Sequence, residues 1–294
     1  MRQAESFKVF DADGKELAEL PAIVDWRRRL PQYRNYVTFD KIPQQVIHAI
    51  VAAEDKRFWE HEGIDKIAIS SALVKSAWET AQSFLRLRPR LVIERGASTL
   101  TQQESRFIFL EDKLEHWGSK AKLRERILFK IEEARIAVWF ENGLEKLLGS
   151  KRLAKEKIFE IYANINYCGG GRYGVVACGR FYFGKELSEL DYSEAALIAG
   201  SFSNPGRYSP ANNIKLARER RDAVISRMVE EGFLDENSKE DFLKVPVVVP
   251  DRRRNDIIAP AAVHHILKTQ GRGFFWENGY VVRTTIKKNF QIAA

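Results

Sequence analysis

Between Pro43 and Gly232 the chain is a succession of helical-period segments cut by glycine and proline, a pattern that points to a mainly helical fold. A helix is expected from near Pro43, with Asp40 before it as a cap, running through VIHAIVAAEDKRFWEH. Further helices are expected over IAISSALVKSAWETAQSF, from GASTLTQQ, from Lys120 to Glu141, and over AKEKIFEIYANI, YSEAALIAGSF and KLARERRDAVISRMVEEGF. CGGGRYG must be a loop or turn. Small β pieces lie at both ends: residues 7–20 read as strand, turn at DADGK and strand, and GYVVRTTI as another strand. VPVVVPDRRR reads as extended and KKNFQIAA as the start of a helix, whereas Val24 to Val37 shows no clear period.

A length of 294 residues suits one large domain, or one domain with a smaller appendage. The formal charge of +8 and pI near 9.4 favour anionic partners: nucleic acid, lipid headgroups or phosphorylated substrates. Cys168 and Cys178 lie ten positions apart without a CxxC or paired-histidine pattern, which argues against a zinc site. Two buried thiols are the expected state, with a disulfide left open. No apolar run reaches the roughly 18 residues needed to span a bilayer, and the polar start lacks a signal-peptide core. The adjacent His264 and His265 read as ordinary surface or interface residues.

Four segments could carry chemistry. In EDKRFWEHEG, residues 54–63, Glu54 continues a helical stripe of Ile47, Ile50 and Phe58. A carboxylate there is costly to bury unpaired, and such a site suits proton transfer. In RGASTLTQQ, Thr99 and Gln102 have capping-box spacing, and the resulting helix end offers N–H groups to an anion such as pyrophosphate. In FKIEEARIAVWFE, Lys130 and Glu133 share a helix face as a second carboxylate and a cation. In IYANINYCGGGRYGVVACGRFYFGK, consecutive glycines suggest backbone folded closely around something.

Taken together and in this order, the four segments resemble the glycosyltransferase family 51 domain of class A penicillin-binding proteins and monofunctional peptidoglycan glycosyltransferases. Residues 54–63 match every fixed position of EDxxFxxHxG, and Gly96 to Gln103 match GxSTxTQQ throughout. Lys130 and Glu133 match KxxE, and Asn164, Gly169, Gly171, Gly174 and Tyr182 to Lys185 match the fourth motif. SEAALIAGSFSNPGRYSP resembles a fifth, and the likeness covers roughly residues 40–232.

The resemblance implies a mainly α, lysozyme-like glycosyltransferase fold, with a large helical lobe and a smaller membrane-facing jaw lobe. It implies polymerisation of lipid II into β-1,4-linked glycan, with inversion and release of undecaprenyl pyrophosphate. Glu54 would be the general base and Glu133 would work at the donor pyrophosphate. Asp55, Phe58, His61, Gly63, Ser98, Thr99, Thr101, Gln102, Gln103, Arg106, Lys130 and Asn164 would bind substrate. A magnesium or manganese ion near Glu133 is optional, and no organic cofactor is expected. The implied partners are lipid II, lipid-linked growing glycan, the membrane surface through the jaw and other cell-wall synthesis proteins, but not nucleic acid. Residues 1–39 would follow a membrane anchor, 40–234 form the glycosyltransferase domain, and 235–294 lead towards a transpeptidase domain. The implied location is the outer face of the bacterial cytoplasmic membrane. FLRLRPRLVI would then set apolar residues into the interface and arginines against anionic headgroups.

The sequence departs from the family at Phe129, where arginine is usual, and at Arg106 and Phe107, where lysine-asparagine is usual. These changes remove polar groups near the pyrophosphate, for which Arg124 or Arg126 could substitute. Two other readings remain: a lysozyme-like glycan-cleaving enzyme, and a non-catalytic scaffold that binds lipid-linked glycan. GASTLTQQ argues against the first, since a hydrolase has no pyrophosphate to hold.

Overall fold

The expected helices form where their periodicity places them. In the computed structural model they are α1 (Gln44–Glu54), α2 (Lys66–Leu85), α3 (Leu100–Phe109), α4 (Leu123–Leu148), α5 (Lys151–Ile165), α7 (Tyr192–Phe202) and α9 (Ile214–Glu230); three further helices, α6 (Val175–Phe183), α8 (Pro205–Tyr208) and α10 (Glu236–Lys244), form where none was expected from the sequence. The structure describes residues 6–20, 23–25, 30–85, 98–110, 123–247 and 281–285. All of FLRLRPRLVI after Leu85, Gly96, residues 111–122, most of VPVVVPDRRR, His264, His265 and KKNFQIAA lie outside them.

Two starts and stops differ from expectation. Asp40 does not cap α1; it sits in a 3-10 turn, Phe39–Lys41, ahead of it. The helix also stops at Glu54 instead of running to His61, because Asp55 turns its carboxylate away to accept hydrogen bonds from elsewhere in the fold. Phe58 is still buried, delivered by the turn that follows and not by the helical stripe.

The chain divides into two compact units, Ile50–Tyr162 and the remainder. The remainder holds the strands found among the described residues. β1 (Phe7–Phe10) pairs antiparallel with β2 (Glu16–Leu20) across the DADGK turn, where Asp11 accepts from the N–H groups of Asp13 and Lys15. The late strand β7 (Val281–Arg283) joins β1 in parallel. A second sheet runs in the order β3-β4-β6-β5, from β3 (Ile23–Asp25), β4 (Leu30–Arg34), β5 (Tyr167–Gly169) and β6 (Arg172–Tyr173). The stretch without clear period thus becomes β3 and β4, too short to show alternation.

CGGGRYG is the β5–β6 hairpin, and what it folds around is the protein itself. Tyr182 donates to the carbonyl of Cys168 at 2.5 Å and accepts from the Ser209 hydroxyl at 2.8 Å. Burial pushes the Tyr182 phenol up to about 12. Cys168 and Cys178 form a fully buried disulfide, not the expected pair of thiols. Spacing could not reveal it, because the hairpin and α6 bring the two Cα atoms to 6.3 Å only in the fold. Asn164, expected at the substrate, clamps Val37: its Oδ1 accepts from the Val37 N–H and its Nδ2 donates to the Val37 carbonyl, both at 2.8 Å. With its amide engaged and its side chain buried, it serves the backbone. Helix α7 starts with a capping box between Asp191 and Glu194, and Glu194 also binds Lys185 of the YFGK motif. In α9, Arg221 is fully buried and donates to the carbonyls of Leu243 and Val245 at the end of α10.

Candidate active site

The unit Ile50–Tyr162 contains every site residue expected from the sequence except Asn164, with Gly96 outside the described residues. Its organising element is α3. Thr99 caps that helix in the expected box: its Oγ1 accepts from the Gln102 N–H at 3.1 Å, and Gln102 Oε1 accepts from the Thr99 N–H at 2.9 Å. Asp55 reaches across to accept from the Leu100 N–H at 3.0 Å. The Gln103 N–H goes to the Thr99 carbonyl. The helix end expected to cradle an anion therefore has these N–H groups satisfied internally.

Burial tells the same story for the motif residues. Asp55, Phe58, Gly63, Thr99, Thr101 and Gln102 are all buried. These expected substrate contacts have polar groups engaged with other parts of the fold. Thr99 Oγ1 donates to the Gly63 carbonyl at 2.6 Å, and Thr101 Oγ1 donates to Glu141 at 2.8 Å. His61 Nε2 lies 2.9 Å from Asp55 Oδ2, and its Nδ1 lies 3.4 Å from Lys155 Nζ. An ammonium can only donate, so Nδ1 accepts and the proton sits on Nε2, facing Asp55. Gly63 has φ +76°, and a Cβ there would meet Val138 N of α4 at 2.8 Å, so only glycine fits.

A short row of motif residues is less buried. Gln103 and Arg106 are three residues apart on α3 and so share a face. Gln103 Nε2 donates to half-buried Glu54 at 3.0 Å. Arg106 Nη1 lies 3.7 Å from Glu133 Oε2. Glu133 is 0% exposed and its Oε1 accepts from Lys130 at 2.6 Å; Lys130 also donates to Ser98 at 2.9 Å. One buried carboxylate thus holds two cations whose side chains are 48% and 35% exposed, leaving net positive charge at an accessible edge. Glu133 carries ion pairs to Lys130 and Arg106, and no group of three or more candidate metal ligands is found among the described residues. Phe129 is buried, so its substitution for arginine adds to the packing of α4, and Arg124 and Arg126 are exposed near that helix's start. Phe107 stands exposed on α3 beside Arg106.

Sequence reasoning missed Glu141 and Lys155. Both are 1% exposed, yet they form an ion pair at 2.8 Å at the centre of this unit. The available signal was a carboxylate eight residues after Glu133 on the same helix, with no motif to mark it.

A half-buried carboxylate beside a neutral donor, with Arg106 on the same α3 face and Lys130 on α4 sharing a second carboxylate, is an arrangement that could serve proton removal next to an anionic leaving group. The transglycosylase family profile matches residues 22–229 of the chain. Penicillin-binding protein 1A of Haemophilus influenzae is 32% identical over 292 residues, covering 98% of this chain and 30% of that protein. Penicillin-binding protein 1A of Aquifex aeolicus is 37% identical over 219 residues, covering 74% of this chain and 26% of that protein. A crystal structure of the Haemophilus influenzae protein aligns with 98% of this chain and 28% of that one, at 21% identity and a TM-score of 0.47. The chain therefore spans less than a third of the length of these relatives. It belongs to the transglycosylase family, as a peptidoglycan glycosyltransferase domain of the class A penicillin-binding-protein kind.

Proposed function

We propose that this domain polymerises lipid II on the outer face of the bacterial cytoplasmic membrane, joining disaccharide units by β-1,4 bonds with inversion. The observation that carries the reading is the pairing along α3 of Gln103 with Glu54 and of Arg106 with Glu133. Glu54, which accepts from the neutral amide of Gln103, takes the proton from the acceptor 4-hydroxyl as that oxygen attacks the donor C1. The bond from C1 to the pyrophosphate oxygen breaks, and undecaprenyl pyrophosphate leaves with the electron pair. Lys130 and Arg106 meet the charge that develops on it. Glu133 holds them in place, and the planar guanidinium suits paired phosphate oxygens.

The same cations replace the α3 N-terminus as the reason to prefer a transferase over a glycan-cleaving enzyme, because a hydrolase has no pyrophosphate to meet. A fully buried disulfide suits an oxidising compartment, as the proposed location is. No helix among the described residues is long and apolar enough to cross a membrane. Contact with the membrane surface and with other cell-wall synthesis proteins remains part of the proposal.

The test is product direction with labelled lipid II in detergent. Lengthening glycan ladders are expected. Shortening of purified wall glycan without polymerisation would support the cleaving enzyme, and binding without turnover would support the scaffold.

A further inference from the structure

Lys155 and Glu141 are each 1% exposed and pair at 2.8 Å. Burying two charges this way is weak support for stability, since well-packed apolar residues often do as well or better. The directional bonds of the pair say more. Glu141 Oε2 accepts from three donors: the Gly63 N–H at 3.0 Å, Thr101 Oγ1 at 2.8 Å and Lys155 Nζ at 3.1 Å. One carboxylate thereby ties the turn after α1, the first turn of α3 and α5 to its own helix, α4. Lys155 extends the network to His61, and through it to Asp55, the neighbour of Glu54. Its ammonium also lies 4.6 Å from the centre of the Phe58 ring.

Two supports of Glu54 thus lead back to the pair. Gln103, which donates to Glu54, lies two residues beyond Thr101 on α3. Asp55, next to Glu54 in the chain, is held by His61 and by the Leu100 N–H. We propose that the buried Lys155–Glu141 pair is a positioning device for Glu54, fixing the seating of α3 and of the 55–63 turn so that the carboxylate points at the acceptor. The pair touches no substrate. The proposal rests on the reading of Glu54 as the general base.

The test replaces both charges at once, with Lys155→Met and Glu141→Gln in the full chain, so that no lone charge is left buried. The double variant is expected to melt cooperatively while kcat on lipid II falls about tenfold or more, with KM held within about twofold. Combined with Gln103→Ala, the two losses in kcat should be less than multiplicative, because both act through α3. Amide hydrogen exchange supplies a readout independent of turnover: Gly63 and Leu100 should exchange faster in the double variant. Parent-like kcat in the folded double variant would overturn the proposal. So would activity lost only in proportion to the folded fraction, or unchanged exchange at both amides. A parent that makes no glycan would contradict the polymerase reading, and the exchange measurement would still decide the role of the pair.

Discussion

Gln103 donates its side-chain amide to Glu54 at 3.0 Å, from a helix whose next turn brings Arg106 to within 3.7 Å of Glu133. One helix face therefore sets both carboxylates, one against a neutral donor and the other against cations. Gln103→Ala should keep the fold and lower kcat about tenfold through loss of that orientation, with lipid II KM little changed. Steady-state kinetics of polymerisation check this.

Arg106 offers a planar fork at the edge where the leaving group is expected. Arg106→Met should lower kcat/KM roughly tenfold to a hundredfold, the range of a charged hydrogen bond. Inhibition by added pyrophosphate should weaken in parallel. Competition assays on parent and variant would show it, and unchanged inhibition would place the leaving group elsewhere.

Much of this helix was legible in the sequence, because Thr99 and Gln102 form the cap their spacing announced. The use of its end was not. Spacing cannot show that Asp55, forty-five positions earlier, turns in to take the Leu100 N–H. The clamp of Asn164 on Val37 was hidden for the same reason, since it is a long-range contact. Glu141 and Lys155 went unseen because a charged pair on two helices looks like surface until packing buries it. Local signals located the elements and the two glutamates; long-range pairing decided which motif residues are buried against the fold.

Cys168 and Cys178 close a short loop between the β5–β6 hairpin and α6. Replacing both by serine should destabilise the fold by about 2–3 kcal/mol, the chain-entropy value for a loop of this length. Denaturant melts of the variant check this. Glu54 and Glu133 lie in the other unit, so the folded variant should keep its specific activity.

Asp65 opens α2 by accepting from the Ala68 N–H at 2.8 Å and holds Arg57 through two bonds of 2.9 Å. Burial works against its ionised form, but the Ala68 N–H and the Arg57 guanidinium outweigh it and hold the carboxyl below its usual value. The unfolded state then binds the proton more readily, so stability gained at Asp65 is present above about pH 4 and fades as pH falls through the lower folded value. Asp65→Asn should therefore be less stable than the parent at neutral pH, with the gap closing below about pH 4. Thermal melts across pH 2 to 7 measure it, and a gap that widens in acid would contradict the assignment.

Polymerisation of labelled lipid II by the parent, Glu54→Gln and Glu133→Gln decides the central question most directly. Removal of a general base should cost Glu54→Gln at least about a hundredfold in rate while the variant still binds lipid II. Glu133→Gln should bind lipid II more weakly as Lys130 and Arg106 lose their anchor. Glycan made by Glu54→Gln at the parent rate would contradict the assignment of Glu54 as the base.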